Sequence, residues 1–211
     1  MSDTSPIIYV VDDDLSFLPA MSRLLRAVGY AVRAFGSPTE FLNALPLDGF
    51  GCVILDLQMP GLSGFDLQAA LARTDSTLPV IFLTGYGDVP AAVRAMRQGA
   101  EDFLSKRAAK EVLFGAIERA VAQDAKAHAH RAWRREVRGR FAALTLRERE
   151  VLEHVVRGQL NKQIAADLAI TERTVKLHRT AITTKLKVQS VAELVRLVQD
   201  AELLREILTP H

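Results

Sequence analysis

The sequence predicts two folded units of different class: an α/β unit built on a five-stranded doubly wound parallel sheet, then a helical linker and an all-α unit of four helices. Three observations carry this. Short β-branched or apolar runs alternate with amphipathic stretches through the first half, the βα repeat of a parallel sheet covered by helices. The C-terminal third has no strand pattern but repeated helix-start signals. Charge divides as well: residues 1–124 hold 10 Lys and Arg against 15 Asp and Glu, whereas residues 125–211 hold 17 against 10, so net charges of −5 and +7 sum to the +2 of the chain. Opposite signs point to different partners, with nucleic acid the candidate for the basic half.

The strands are read at Ile7–Val11, Ala31–Phe35, Cys52–Leu55, Val80–Leu83 and Asp102–Leu104. Between them Leu18, Met21, Leu25 and Val28 recur at helical spacing, as do Val89, Ala92, Val93 and Met96, and later Val112, Leu113, Ala116, Ile117 and Ala120, each set read as a helix. Ser37-Pro38-Thr39-Glu40 is a helix start with a capping Ser, Pro at the first helical position and Glu placed for a capping box. From about Val121 to Phe141 the chain is rich in Ala and charge with Trp133 as its large anchor, read as a helical extension with a break at Gly139. Beyond it, helices start at Thr145 with Glu148, at Asn161, at Thr171 and at Ser190 with Glu193, the first and last read as full capping boxes, and Gly158 closes the first. Two short helices joined by the tight Ala169-Ile170 step make a helix-turn-helix pattern.

Composition narrows the class. With 49% hydrophobic and 25% charged residues the chain is an ordinary globular protein, not a disordered, collagen-like or coiled-coil one. The single cysteine, Cys52, is read as a core thiol. The first apolar run is short and ends in three aspartates, and nothing approaches the ~18 apolar residues of a membrane span, so the reading is cytoplasmic, without signal peptide or membrane partner.

Asp12, Asp13 and Asp14 follow the first strand, Asp56 the third and Lys106 the fifth, while Thr84 ends the fourth. Open parallel sheets bind ligands at those strand ends, so the side chains converge on one rim. Clustered carboxylates repel one another and invite a small hard cation with oxygen ligands, which is the chemistry of Mg²⁺. Asp56 can then attack a phosphoryl group while Mg²⁺, Lys106 and the Thr84 hydroxyl hold its oxygens.

Four motifs in order, Val10-Val11-Asp12-Asp13-Asp14, Leu55-Asp56-Leu57-Gln58-Met59-Pro60-Gly61, Leu83-Thr84-Gly85-Tyr86-Gly87-Asp88 and Asp102-Phe103-Leu104-Ser105-Lys106, resemble the flavodoxin-like receiver domain of bacterial two-component response regulators. The resemblance implies a phosphoacceptor Asp56, Mg²⁺ on Asp12 and Asp13 with the Gln58 carbonyl, and a switch pair of Thr84 and Phe103. One departure stands out: such receivers usually carry Pro after the Lys, and here it is Arg107. A non-proline cis bond costs ~2.5 to 4 kcal/mol, so a trans bond and an altered approach of Lys106 are expected.

The run Leu144–Leu152, then Asn161–Ala165, then Thr174–Arg179 resembles the LuxR-type helix-turn-helix, and the whole chain resembles the FixJ/NarL class, with Gly85–Pro90 tilting it toward the FixJ side. In the helix after Thr171, Val175, His178, Ile182 and Leu186 share one face that must pack inward. The opposite face presents Lys176, Leu177, Arg179, Thr180, Thr183 and Lys187, suited to the DNA major groove. By resemblance Lys176, Leu177 and Thr180 face bases, Lys162, Arg173 and Arg179 contact phosphates, and Thr174 belongs to the same DNA-binding set. The resemblance implies domains at 1–121 and 142–211 with the linker at 122–141. It further implies a phosphorylation-controlled transcription factor whose partners are a sensor histidine kinase, double-stranded promoter DNA, RNA polymerase and, on phosphorylation, a second copy of the chain. A haloacid-dehalogenase-like phosphatase needs a second carboxylate two residues after its nucleophile, and position 58 is Gln, so an enzyme is not expected. A regulator that binds DNA without phosphorylation is the other alternative, supported only by Arg107.

Overall fold

The computed structural model describes residues 5–45, 49–74, 76, 78–85 and 89–200. It divides into two compact units, Met1–Ala129 and His130–His211.

In the first unit β1 (Ile7–Val11), β2 (Ala31–Phe35), β3 (Gly51–Leu55), β4 (Val80–Thr84) and β5 (Asp102–Ser105) form one parallel sheet in the order β2-β1-β3-β4-β5. The predicted strands are present, three of them longer by one residue. β3 and β4 are buried throughout, as a strand covered on both faces must be. Alternation divides the core. Ile8, Val10, Cys52, Ile54, Ile81 and Leu83 pack against α1 (Phe17–Ala27) and the first part of α5 (Lys110–Ala142). Tyr9, Val11, Val53, Leu55 and Phe82 pack against α2 (Pro38–Asn43), α3 (Gly64–Leu71) and α4 (Val89–Arg97) on the other face.

The apolar stripes of these helices are only partly covered. Val28 is 51% exposed because α1 has ended at Ala27, whereas Leu18, Met21 and Leu25 are buried. In α4 the bulky stripe points outward: Val89, Val93 and Met96 are 77%, 47% and 49% exposed, and the small Ala95 faces the sheet instead. Val112 is also half exposed while Leu113, Ala116, Ile117 and Ala120 are buried.

Gly139 does not break the linker. α5 continues helical to Ala142, because one exposed glycine costs only ~1 kcal/mol within a helix held at many other points. Nor is the stretch a bare spacer. Asp124 is buried and accepts from Gly51 N at 2.9 Å, within the first unit. Val137 and Phe141 are buried in the core of the second unit, with Trp133 packed beside them.

That second core also holds Val151, Leu152 and Val155 of α6 (Leu146–Val156), Ile164 and Ala165 of α7 (Asn161–Asp167), Val175, Ile182 and Leu186 of α8 (Glu172–Leu186), and Leu194 and Val198 of α9 (Val191–Asp200). Thr145 and Glu148 form the expected reciprocal box, with Thr145 N donating to Glu148 Oε2 at 2.7 Å and Glu148 N to Thr145 Oγ1 at 3.2 Å. At the Ser190 start the box is shifted: Ser190 caps Glu193 N, but the Glu193 carboxylate takes Gln189 N. Ser37 and Glu40 show the same shift, the carboxylate taking Gly36 N. Asn161 is not a cap; it is the first helical residue, and Gln163 reaches back to Leu160 N.

Candidate functional site

The strand ladders build the acidic rim. Val11 lies opposite Leu55 in the β1–β3 register, and Asp56 N donates to Val11 O at 3.0 Å, so Asp12 and Asp56 leave neighbouring strands side by side. Thr84 pairs with Ser105 across β4–β5, and Lys106 N donates to Thr84 O at 2.8 Å, which starts Lys106 from the same edge. This is the switch point of the 2-1-3-4-5 order, where such sheets bind ligands.

The side chains meet there. Lys106 Nζ lies 2.6 Å from Asp12 Oδ2 and 2.9 Å from Asp56 Oδ2. With Arg107 in the place of the usual Pro, Lys106 reaches both carboxylates. The N–H that a proline would lack is used: Arg107 N donates to Ser105 Oγ at 3.1 Å. Asp12, Asp56 and Thr84 are buried, Asp13 and Gln58 exposed. Burial raises Asp12 above the usual carboxylate range, more than its bonds to Lys106 and Asp14 N lower it. Burial pulls Lys106 down, yet Asp12 and Asp56 together outweigh it and hold the ammonium above the ordinary lysine range.

Oxygens of Asp12, Asp13 and Asp56 all lie within 4.8 Å of one another, a donor set that fits a hard divalent cation. Gln58 is in contact with Asp56 through its N–H, at 3.4 Å from Oδ1. Asp14 stands outside the cluster and works as a cap: its Oδ1 accepts from Ser16 N, Ser16 Oγ and Phe17 N, which holds its carboxyl below the usual range. Phe103 is partly buried against Phe82, ring centroids 6.0 Å apart. Tyr86, Gly87 and Asp88 of the third motif lie outside the described residues.

Two residues of this rim escaped the sequence. Phe17 sets its ring 4.4 Å from Lys106 Nζ, a pairing no spacing could disclose because the partners are remote in the chain. Gly64 starts α3 so tightly against β3 that a Cβ there would lie 2.4 Å from Asp56 O. The Ser63-Gly64-Phe65-Asp66 capping box marks the helix start but not the close approach.

The second unit carries the basic face on α8. Thr171 caps it by accepting from Thr174 N at 3.2 Å, and the Thr171 and Thr174 hydroxyls lie 2.9 Å apart. With Val175, Ile182 and Leu186 buried, Lys176, Thr180 and Leu177, itself 64% exposed, face outward as read. Arg173 and Lys162 are exposed too. Arg179 is half-buried and donates to Asn161 Oδ1 at 2.8 Å, tying α8 to the start of α7. Lys162, Lys176, Arg179 and Thr180 line one open cleft of about 770 Å³. His178 is half-buried, on the inward side. Behind this face Lys185 Nζ lies 2.7 Å from Glu148 Oε2, holding α8 against α6.

Comparison with known proteins finds a match for each unit. Residues 8–118 match the response regulator receiver domain, and residues 142–198 match the bacterial regulatory proteins of the luxR family. The chain is 43% identical over 201 residues to the response regulator protein TodT of Pseudomonas putida, covering 94% of this chain and 88% of that one. It is 40% identical over 199 residues to the transcriptional regulatory protein FixJ of Bradyrhizobium diazoefficiens, covering 94% and 97%. Among solved structures, the response regulator StyR superposes with a TM-score of 0.85 at 41% identity, covering 93% of this chain and 99% of that one. Full-length FixJ from B. japonicum gives 0.57 at 40%, covering 95% and 99%. The chain belongs to the two-component response regulators that join a receiver domain to a LuxR-type DNA-binding domain, and it acts as a transcription factor rather than an enzyme. Among the described residues no helix is long and apolar enough to cross a membrane.

Proposed function

We propose that Asp56 is the phosphoacceptor of a Mg²⁺-dependent switch that controls DNA binding by the second unit. The observation that carries this is Lys106 bridging Asp12 and Asp56 beside the exposed Asp13, at the strand ends of the sheet's switch point. A carboxylate oxygen of Asp56 forms the new bond to phosphorus as the bond to the donor breaks, and the bonding electrons leave with the donor. The donor is a phosphohistidine of a sensor kinase, or a small acyl phosphate in its place. Lys106 and the Thr84 hydroxyl hold the phosphoryl oxygens. Asp12, Asp13, Asp56 and the Gln58 carbonyl would hold Mg²⁺, which supplies charge neutralisation when bound.

Thr84 then follows the new phosphoryl group and vacates space that Phe103 fills by rotating against Phe82, a motion coupled through packing because Phe103 lacks a hydroxyl. The outward apolar face of α4, Val89, Val93 and Met96, supports pairing with a second copy on phosphorylation. Paired second units would read a two-fold promoter site with Lys176, Leu177 and Thr180 toward bases and Lys162, Arg173, Thr174 and Arg179 toward the backbone, and would act on RNA polymerase in the cytoplasm. The test is labelling by a small acyl phosphate with Mg²⁺. The native chain takes one acid-stable, base-labile label and Asp56→Asn takes none; label retained in that variant overturns the assignment.

A further inference from the structure

We infer that Phe17 is a positioning residue for Lys106, an aromatic seat that keeps the ammonium at the rim while its carboxylate partners change; this rests on the phosphoacceptor reading of Asp56. Lys106 Nζ is bound by Asp12 Oδ2 and Asp56 Oδ2, at 2.6 and 2.9 Å. It also lies over the Phe17 ring, centroid 4.4 Å away, within the range where a cation is attracted to the face of an aromatic ring. The two kinds of contact differ in what disturbs them. Both carboxylates change partners when a cation and a phosphoryl group arrive, whereas the ring has no other ligand to take. A lysine stem tethered only by those anions would be released into its many rotamers at the moment its charge is needed.

The ring is itself fixed. Phe17 is the first residue of α1, packs on the core beneath, and has its N–H bonded to Asp14 O at 3.1 Å and to Asp14 Oδ1 at 3.2 Å. The third aspartate thus places Phe17, and Phe17 seats Lys106. The need is plain in this chain because Arg107 follows the lysine: the backbone there is held by hydrogen bonds of Arg107 N and Ala108 N to Ser105, not by a proline ring.

The experiment measures the rate at which the full-length chain takes phosphate from acetyl phosphate with Mg²⁺, the phosphorus exchanging its bond to acetate for one to Asp56 as acetate departs with the electron pair. Phe17→Leu keeps an apolar side chain without a ring and slows labelling about three- to tenfold, while Phe17→Tyr, which keeps the ring, stays within about twofold of the native chain. In a Lys106→Ala background Phe17→Leu brings no further loss. Urea midpoints of the variants are compared, so that the Tyr variant carries the test if the Leu variant is destabilised: a Tyr variant as slow as Leu overturns the inference. So does a native rate for Phe17→Leu, or an equal loss in the two backgrounds. Label kept by Asp56→Asn refutes the phosphoacceptor reading and this inference with it, whereas label confined to Asp56 but indifferent to the ring refutes the inference alone.

Discussion

Gly64→Ala adds one methyl group, and the structure sets what it meets. The new Cβ would lie 2.4 Å from Asp56 O, 2.9 Å from Phe82 Cε1 and 3.1 Å from Leu57 Cα, against the 3.4 Å at which ordinary contact begins. Two of those neighbours are backbone, so the shortfall of about 1.0 Å at the carbonyl cannot be relieved by a rotamer. Either α3 withdraws, breaking the Gly64 N to Leu57 O bond of 3.0 Å and lifting Phe65 from Phe82, or the Asp56 peptide turns. Overpacking of this kind costs about 1 to 3 kcal/mol. Gly61→Ala is the control: its Cβ meets nothing within 4 Å, and the variant bears only the left-handed φ of +83°. That strain costs roughly 1 kcal/mol. Urea unfolding by circular dichroism reads both units, while fluorescence of Trp133 reads the second, against whose core it packs. Gly64→Ala should lower the receiver transition, leave the Trp133 transition in place, and slow labelling from acetyl phosphate more than Gly61→Ala does. A Gly64→Ala chain with native stability and native labelling would show that α3 does not press on the Asp56 peptide.

The Lys185 bond and the Thr145 cap hold Glu148 below the usual carboxylate range, so its contribution is present above the ordinary value of 4.5 and is lost as pH falls through the lower folded value. Glu148→Gln should cost about 1 to 2 kcal/mol at neutral pH by Trp133 unfolding through its lost charged bond to Lys185, and lose less than the native chain as pH falls below the ordinary carboxylate range; equal acid sensitivity would count against the pair. Ala169 sits between α7 and α8 with φ of 52°, a conformation that L residues other than Gly adopt at a cost, so Ala169→Gly should stabilise the second unit by about 0.5 to 1 kcal/mol in the same assay. Lys176→Ala should relax sequence preference and cost ~1 to 3 kcal/mol on a specific site, whereas Lys162→Ala should weaken all DNA alike and reduce the salt slope by roughly one. Binding to promoter and random DNA over a salt series decides it, and the reverse pattern would mean that α8 presents another face.

The rim was legible because parallel strands deliver residues in fixed order to one edge: Asp12, Asp56, Thr84 and Lys106 needed only the strand ends, and the β1–β3 register did the rest. What was hidden depends on distances between remote backbones. The Gly64 approach to Asp56 and the Phe17 ring over Lys106 have no periodicity and no spacing, only a tertiary neighbour. Capping boxes were half legible. Ser190 and Ser37 cap as their residue types demand, but the glutamate three residues on can reach one N–H further back as easily as the cap's own.

Periodicity also tells that a helix has an apolar face without telling what covers it. In α8 the stripe of Val175, Ile182 and Leu186 is core, and the face left over is cationic and hydroxylic, which fits a polyanion. In α4 the same kind of stripe is left over: Ala95 packs against the sheet because only a small side chain lets the helix backbone come close, and Val89, Val93 and Met96 are turned to the outside. An apolar face of that size is unfavourable in water, so its natural partner is another apolar surface and its coverage lowers the free energy of whatever state provides one. A receiver conformation that lets a second copy cover α4 is therefore stabilised by association itself. Under the proposed switch, phosphorylation would then need to supply only the differential free energy between the two conformations, not the whole drive to pair.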